Sequence, residues 1–330
     1  MNEVPDIALG VDPVLSMSQE RVFALVRDQN LTYEVDPTTL ALTKKFVTYE
    51  DAELSPRMIC DRLVKTINPW DAAVDANGRL WVARYDQPTV AIVEPDGSFS
   101  GTVDLSAYAD TDGLPEASAV HVAGDRAYVA IERLDRCNGW QPAGPGVIVE
   151  IDVATRAVVK SIELGGTNPF GRLVPVPWDS SGNTVAVALT GDFFSIDDGD
   201  VAAIVDLQSG TAKGFGRETE LDGSVAEVVV AAPDEAYMIV ANPDMTNATS
   251  LVRIDPQTGQ ISGKLLDSRT SSNPGGGYCH RGLAVVGEHL LVGSKAPCET
   301  GVIVLERQSG QRLGLIPPAK LPPIAIQAVP

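Results

Sequence analysis

Four groups of residues in this chain have types and spacings that could do chemistry. The first is acidic. Gly191-Asp192-Phe193-Phe194-Ser195-Ile196-Asp197-Asp198-Gly199-Asp200 gathers Asp192, Asp197, Asp198 and Asp200 into one short stretch. Carboxylates are hard oxygen ligands, and this density suits calcium. The stretch lacks the closing Glu of an EF-hand loop, so a solvated acidic loop is the plainer reading. Ala109-Asp110-Thr111-Asp112-Gly113 is a weaker case of the same kind.

The second group mixes charges. Asp71, Glu116, Arg172, Glu227, His280 and Arg281 each stand at the start of an apolar, strand-like segment. Converging on one small space, they could bind a polar ligand or a metal, or simply pair with one another. The third group is aromatic: Trp140 and Phe193 fall among loop-forming residues, where a ring can stack on a sugar or aromatic ligand. Trp70, Trp178, Phe170 and Phe194 read instead as gap fillers. The fourth group is Cys60, Cys137, Cys279 and Cys298, which allow three pairings. With no Cys-x-x-Cys pair, zinc is the weaker reading. No Gly-x-Ser-x-Gly elbow, phosphate loop or haem attachment motif is present. No residue is therefore assigned a catalytic role.

The elements that must position these groups come from one repeated phrase. Its cleanest copy is Leu251-Val252-Arg253-Ile254-Asp255-Pro256-Gln257-Thr258-Gly259-Gln260-Ile261. An alternating strand runs into an acid, turns through polar residues to Gly, and starts a second strand. That is a hairpin: the acid accepts from turn amides and Gly takes the left-handed conformation. Copies stand at Val35-Asp36-Pro37, Val93-Glu94-Pro95, Ile151-Asp152-Val153, Val205-Asp206-Leu207 and Leu305-Glu306-Arg307. Repeats spaced roughly fifty to sixty residues apart signal radial or solenoidal architecture.

Two further strands precede most copies, as in Asp71–Val74 and Arg79–Ala83 around Asp75-Ala76-Asn77-Gly78. The reading is an all-β, six-bladed β-propeller of four-stranded blades forming a single domain over residues 1–330. Blades are expected at about 12–48, 70–104, 117–163, 171–217, 225–266 and 280–316. One terminal strand is surplus, at 12–17 or 322–329, and should close the ring. Ser55-Pro56 can cap a helix whose face carries Ile59, Leu63 and Ile67, so a short helix is expected in the blade 1–2 connection.

Topology then selects a cysteine pairing. Cys279 and Cys298 fall on the long-loop side of one blade, while Cys60 and Cys137 fall in loops of neighbouring blades on that same side. Bridges Cys60–Cys137 and Cys279–Cys298 are expected, and with them an oxidising compartment: periplasm, cell surface or medium. The first residues, Met1 to Pro5, look like the start of a chain whose leader has been removed, and such a leader can carry a lipid anchor. The net charge of −19 disfavours nucleic acid and anionic lipid as partners held by charge attraction. The longest apolar runs are strand-length, so no membrane span is expected.

With the repeats laid out, the chain resembles the YVTN/YncE-like group of exported bacterial β-propellers. The likeness rests on Asn68-Pro69-Trp70-Asp71, Asn168-Pro169-Phe170-Gly171, Val35-Asp36-Pro37 and Ile254-Asp255-Pro256-Gln257-Thr258-Gly259. A weaker likeness is to six-bladed calcium-dependent lactonases of the gluconolactonase kind, which implies a central metal held by acidic and amide side chains. None of its ligands is matched to a residue here. The functional expectation is non-catalytic binding of a small ligand or protein partner on the long-loop face. The alternatives are a calcium-dependent hydrolase and a structural envelope or surface protein.

Overall fold

The computed structural model describes residues 12–242, 248–268, 279–295, 298–318 and 326. Apart from Ile326, the 322–329 segment weighed as a closing strand lies outside the described residues, as do Met1 to Pro5 and parts of the 242–250, 267–279 and 294–300 loops.

Among the described residues six four-stranded antiparallel sheets form, each from one continuous segment, and the architecture is that of a six-bladed β-propeller. Two compact units divide them. In Met1–Glu163, blade 1 runs from Pro13–Ser18 to Leu42–Phe46, blade 2 from Pro69–Val74 to Phe99–Asp104, and blade 3 from Ala117–Ala123 to Val158–Glu163. In Leu164–Pro330, blade 4 runs from Pro169–Pro175 to Thr211–Arg217, blade 5 from Ser224–Ala232 to Ile261–Asp267, and blade 6 from His280–Val286 to Arg312–Ile316. Pro13–Ser18 is the inner strand of blade 1, which draws all four strands from its own segment.

Burial follows position in the blade. In blades 2 to 5 the second and third strands are covered on both faces and read as apolar runs, such as Leu80–Arg84 and Val147–Asp152. Outer strands alternate or face solvent, as Val158–Glu163 does. The core lies between successive sheets. Phe23, Leu25 and Phe46 pack on Ala72 and Val74, Trp81 and Ile92 on Val120 and Val129, Ala186 and Phe215 on Val225 and Met238, and Tyr237 and Leu251 on Leu283 and Leu290.

The repeated phrase works as its composition dictates. Asp255 Oδ1 accepts from Gln257 N at 2.7 Å, and Gly259 N donates to Asp255 O at 2.8 Å with φ +73°. In blades 1 and 3 the left-handed position is held by Leu40 and Arg156. There Asp36 and Asp152 each accept from two turn amides.

The helix expected between blades 1 and 2 is not formed. Asp51–Leu54 is one 3-10 turn, and Arg57–Ile59 pairs with Arg62–Val64 as a hairpin. The turn places Cys60 at φ +54°. Met58 and Leu63 pair across the strands, exposed, while Ile59 faces inward. A helix would put Ile59 and Leu63 on one face; pleating sends them to opposite faces. The one α-helix among the described residues is Glu218–Leu221, after the outer strand of blade 4.

Candidate functional site

The site in the first unit is built from the connections that join one blade to the next and the second strand of a blade to its third. Three of these are fastened together. Cys60, in the blade 1–2 hairpin, bonds Cys137 in the long loop of blade 3, with Cα atoms 5.2 Å apart. Asp135 opens that loop's 3-10 turn, accepting from Cys137 N at 2.9 Å and Asn138 N at 3.1 Å. Its other oxygen accepts from Thr111 Oγ1 at 2.8 Å, tying in the blade 2–3 connection.

That fastening holds a column of rings and guanidiniums. Arg27 stands 3.9 Å over the Trp70 ring. Trp70 stacks on Tyr85 at 4.3 Å and 23°, and Tyr85 faces Trp140 at 6.5 Å and 19°. Arg136 lies 5.1 Å from the Tyr85 ring and 5.0 Å from Trp140. Tyr85 is buried, whereas Trp70 and Trp140 are half-buried and keep part of their surface in solvent. Alternation of π faces and cations is favourable in its own right, and more so where water is partly excluded.

Beneath the column sits a buried polar layer. Tyr85 Oη donates to Glu132 Oε2 at 2.6 Å. Glu132 is fully buried, and its Oε1 has no hydrogen-bond partner. Burial pushes its carboxyl up to about 8, with Tyr85, Ser118, Arg136 and Arg27 pulling it back. Arg136 Nη1 donates to Asp86 Oδ1 at 2.7 Å, Nε to Glu116 Oε1 at 3.0 Å, and Nη2 to Tyr85 O at 2.8 Å. Glu116 Oε2 accepts from Leu134 N at 3.1 Å. Burial, reinforced by Asp112 and Asp110, raises the Glu116 carboxyl to about 9.

Oxygens of Asp110, Asp112 and Glu116 lie within 4.8 Å of one another, a separation that suits a metal. Here a guanidinium already supplies the positive charge. Arg136 Nε is 3.0 Å from Glu116 and 3.8 Å from Asp112, whose side chain is fully buried. Asp112 and Glu116 thus share an arginine, while the buried Oδ2 of Asp110 has no hydrogen-bond partner.

The sequence-selected residues have mixed fates. Glu116 and Trp140 belong to this site. Asp71 is a clasp between inner strands: it accepts from Ser16 Oγ at 2.7 Å and Val120 N at 3.1 Å. Glu227 does the same in the second unit, accepting from Gly282 N at 2.8 Å, and burial raises its carboxyl. His280 is buried against Thr249, Nδ1 to Oγ1 2.8 Å, and burial lowers its pKa to about 4, leaving a neutral ring. Arg172 and Arg281 are half-buried, the latter close enough to Glu227 to stabilise its charge. Phe193 meets Phe170 edge-on at 5.8 Å.

The four loop acids do not face one centre. Asp192 accepts from Phe194 N and Ser195 Oγ within its own turn. Asp198 accepts from Thr219 Oγ1 at 3.2 Å, and Asp200 lies against Gly214 at the start of its strand. Asp197 Oδ2 lies with Glu218 Oε1 against Gly191, and burial raises Glu218 to about 7, with Asp197 and Asp192 adding to the rise. Sequence reasoning missed Tyr85, Asp86, Glu132, Arg136 and Glu218. The signal was weak but present: each directly follows a strand at the long-loop end of a blade, except Arg136, which sits beside Cys137.

The bridges Cys60–Cys137 and Cys279–Cys298 are both formed, and the described residues hold no free cysteine. No helix among them is long and apolar enough to cross a membrane. Both facts are compatible with an exported protein.

No family model matches the chain, and no curated protein sequence does. Solved structures do. Hydrazine synthase from Kuenenia stuttgartiensis superposes with a TM-score of 0.60 at 16% identity, covering 93% of this chain and 80% of that one. The Dos1 propeller gives 0.60 at 12% identity, over 94% and 72%. A streptogramin B lyase gives 0.53 at 11% identity, over 90% and 83%. At such identities the likeness is one of fold.

The raised Glu132 pKa has a testable consequence. An unfolded Glu titrates near 4.5, and the folded one near 8. Between those values the folded chain holds a proton that the unfolded chain has lost. The contribution of Glu132 is therefore fully present below about pH 4.5 and is lost as the pH rises through about 8. His280 has the opposite sign: its folded pKa of about 4 lies below 6.5, so its contribution is lost as the pH falls through about 4. Denaturant midpoints of Glu132→Gln and the parent, measured from pH 5 to pH 9, should diverge in favour of the variant as pH rises. Parallel profiles would show that Glu132 does not bind the extra proton.

Proposed function

We propose that this propeller binds a small ring-shaped polar ligand, a sugar or an aromatic acid, on the long loops of blades 1 to 3 without transforming it. The observation that carries the reading is the Arg27–Trp70–Tyr85–Trp140–Arg136 column, set on loops tied by Cys60–Cys137. Half-buried Trp140 offers an apolar ring and Trp70 an exposed edge, the guanidiniums and carboxylates around them offer directional hydrogen bonds, and a fastened loop loses little entropy on binding. A calcium-dependent hydrolase would use a carboxylate trio as metal ligands; in this trio Arg136 already pairs with Asp112 and Glu116. Two disulfides support placement in the periplasm, on the cell surface or in the medium.

Tryptophan fluorescence, titrated with a panel of carbohydrates and aromatic carboxylates, tests the reading. A binder should shift the emission, and Trp140→Ala should weaken it about tenfold, the loss of one good stacking contact. Trp140→Ala should leave the melt nearly unchanged. Affinity that survives both Trp140→Ala and Trp70→Ala would sink the assignment.

A further inference from the structure

The second unit contains a pair of carboxylates with no cation to match them. Glu218 opens the short helix that follows blade 4, and only 1% of its surface is exposed. Its Oε2 accepts from Asp197 N at 2.8 Å. Its Oε1 is buried with no hydrogen-bond partner. Asp197 comes from the acidic loop, with Oδ1 accepting from Gly199 N at 2.7 Å. Its Oδ2 and Glu218 Oε1 converge. Both lie against Gly191, 3.0 and 3.1 Å from the point where a side-chain carbon would sit there. Gly191 has φ +67°, so the position favours glycine and the space stays open.

Residues that touch Glu218 or Gly191 carry further oxygens. The Ser224 hydroxyl lies against Glu218, close enough to favour its charged form. Asn168 Nδ2 donates to Gly191 O at 2.9 Å, and Asn168 Oδ1 is unsatisfied. Thr167 O accepts from Gly191 N at 3.3 Å, and Thr167 Oγ1 is unsatisfied. Among the described residues no Lys or Arg pairs with Asp197 or Glu218. Leaving this many buried acceptors unmatched is costly, and buried polar groups are normally satisfied. The contrast with the first unit is direct: there Arg136 pairs with Asp112 and Glu116.

We propose that Asp197 and Glu218, beside Gly191, hold a calcium ion that fastens the 191–200 loop of blade 4 to the start of the blade 4–5 connection. Both donors are carboxylate oxygens, which hard cations prefer. With two carboxylates the site should be weak, of order 0.1–1 mM, in the range of extracellular calcium modules.

Calorimetric titration of chelator-stripped protein with calcium chloride, paired with melting curves, tests this. One saturable equivalent should bind and raise the Tm by a few degrees. Glu218→Gln and Asp197→Asn should each abolish both effects while melting like the parent in chelator. Glu116→Gln, in the arginine-filled trio, should bind as the parent does. If Glu218→Gln does not fold, the half-exposed Asp197→Asn carries the comparison alone. No saturable binding up to 10-fold above the expected range, or binding that persists in both loop variants, overturns the site. Loss of binding in Glu116→Gln would place the ion in the first unit instead.

Discussion

Arg136→Met should be the most damaging single substitution in the long loops of blades 1 to 3. Its side chain is only 9% exposed and faces Asp86, Asp112 and Glu116, the last two fully buried side chains. Met fills most of the volume but leaves Asp86 and Asp112 without their counter-charge and Glu116 without a hydrogen-bond donor. Removing one partner of a buried ion pair costs about 3–5 kcal/mol, far more than the pair contributes when intact. Arg136→Lys should recover only part of this, because one ammonium cannot reach Asp86, Glu116 and the Tyr85 carbonyl as the planar fork does. A double-mutant cycle sharpens the test. Asp86→Asn should lower the cost of Arg136→Met, since one acid fewer needs the arginine. Guanidinium denaturation followed by tryptophan fluorescence reads all four proteins. A loss below about 1 kcal/mol, or strict additivity, would mean that water reaches these acids and the cluster is not sealed.

Loss of the Cys60–Cys137 bridge should be the second large effect. The bond closes 77 residues, against 19 for Cys279–Cys298. In the chain-entropy account the longer loop is worth about 4 kcal/mol and the shorter about 3 kcal/mol. The Cys60→Ser/Cys137→Ser pair should therefore destabilise by about 2–4 kcal/mol, and by more than Cys279→Ser/Cys298→Ser. It should also loosen Trp140, three residues from Cys137, and so weaken ligand binding. Chemical denaturation of the two double variants decides this. Equal stabilities, or the reverse order, would show that native contacts rather than loop closure set the contribution.

The six blades were legible because their signals are local. Asp36, Asp152 and Asp255 bond amides two or three residues ahead, so the turn is written within a handful of positions. The blade 1–2 connection misled for the same reason in reverse. Ile59, Leu63 and Ile67 have helical spacing, yet Cys60 is held by a residue 77 positions away, and the segment pleats. A local pattern cannot register a distant covalent tie.

Sequence by itself determined the repeat, the sheet class, the cysteine inventory and the long-loop end as the place where polar chemistry collects. These depend on strand periodicity and turn residues, which act over a few positions. Only the tertiary structure decided which charges meet. Arg136 reaches Asp86 across 50 positions, Tyr85 reaches Glu132 across 47, and Asp197 reaches Glu218 across 21. The acidic loop had four equivalent aspartates in sequence; folding turned Asp197 toward Glu218 and used Asp192 inside its own turn. The physical reason is that Coulomb energy and desolvation depend on distance and burial, and both are fixed when loops from different blades pack together.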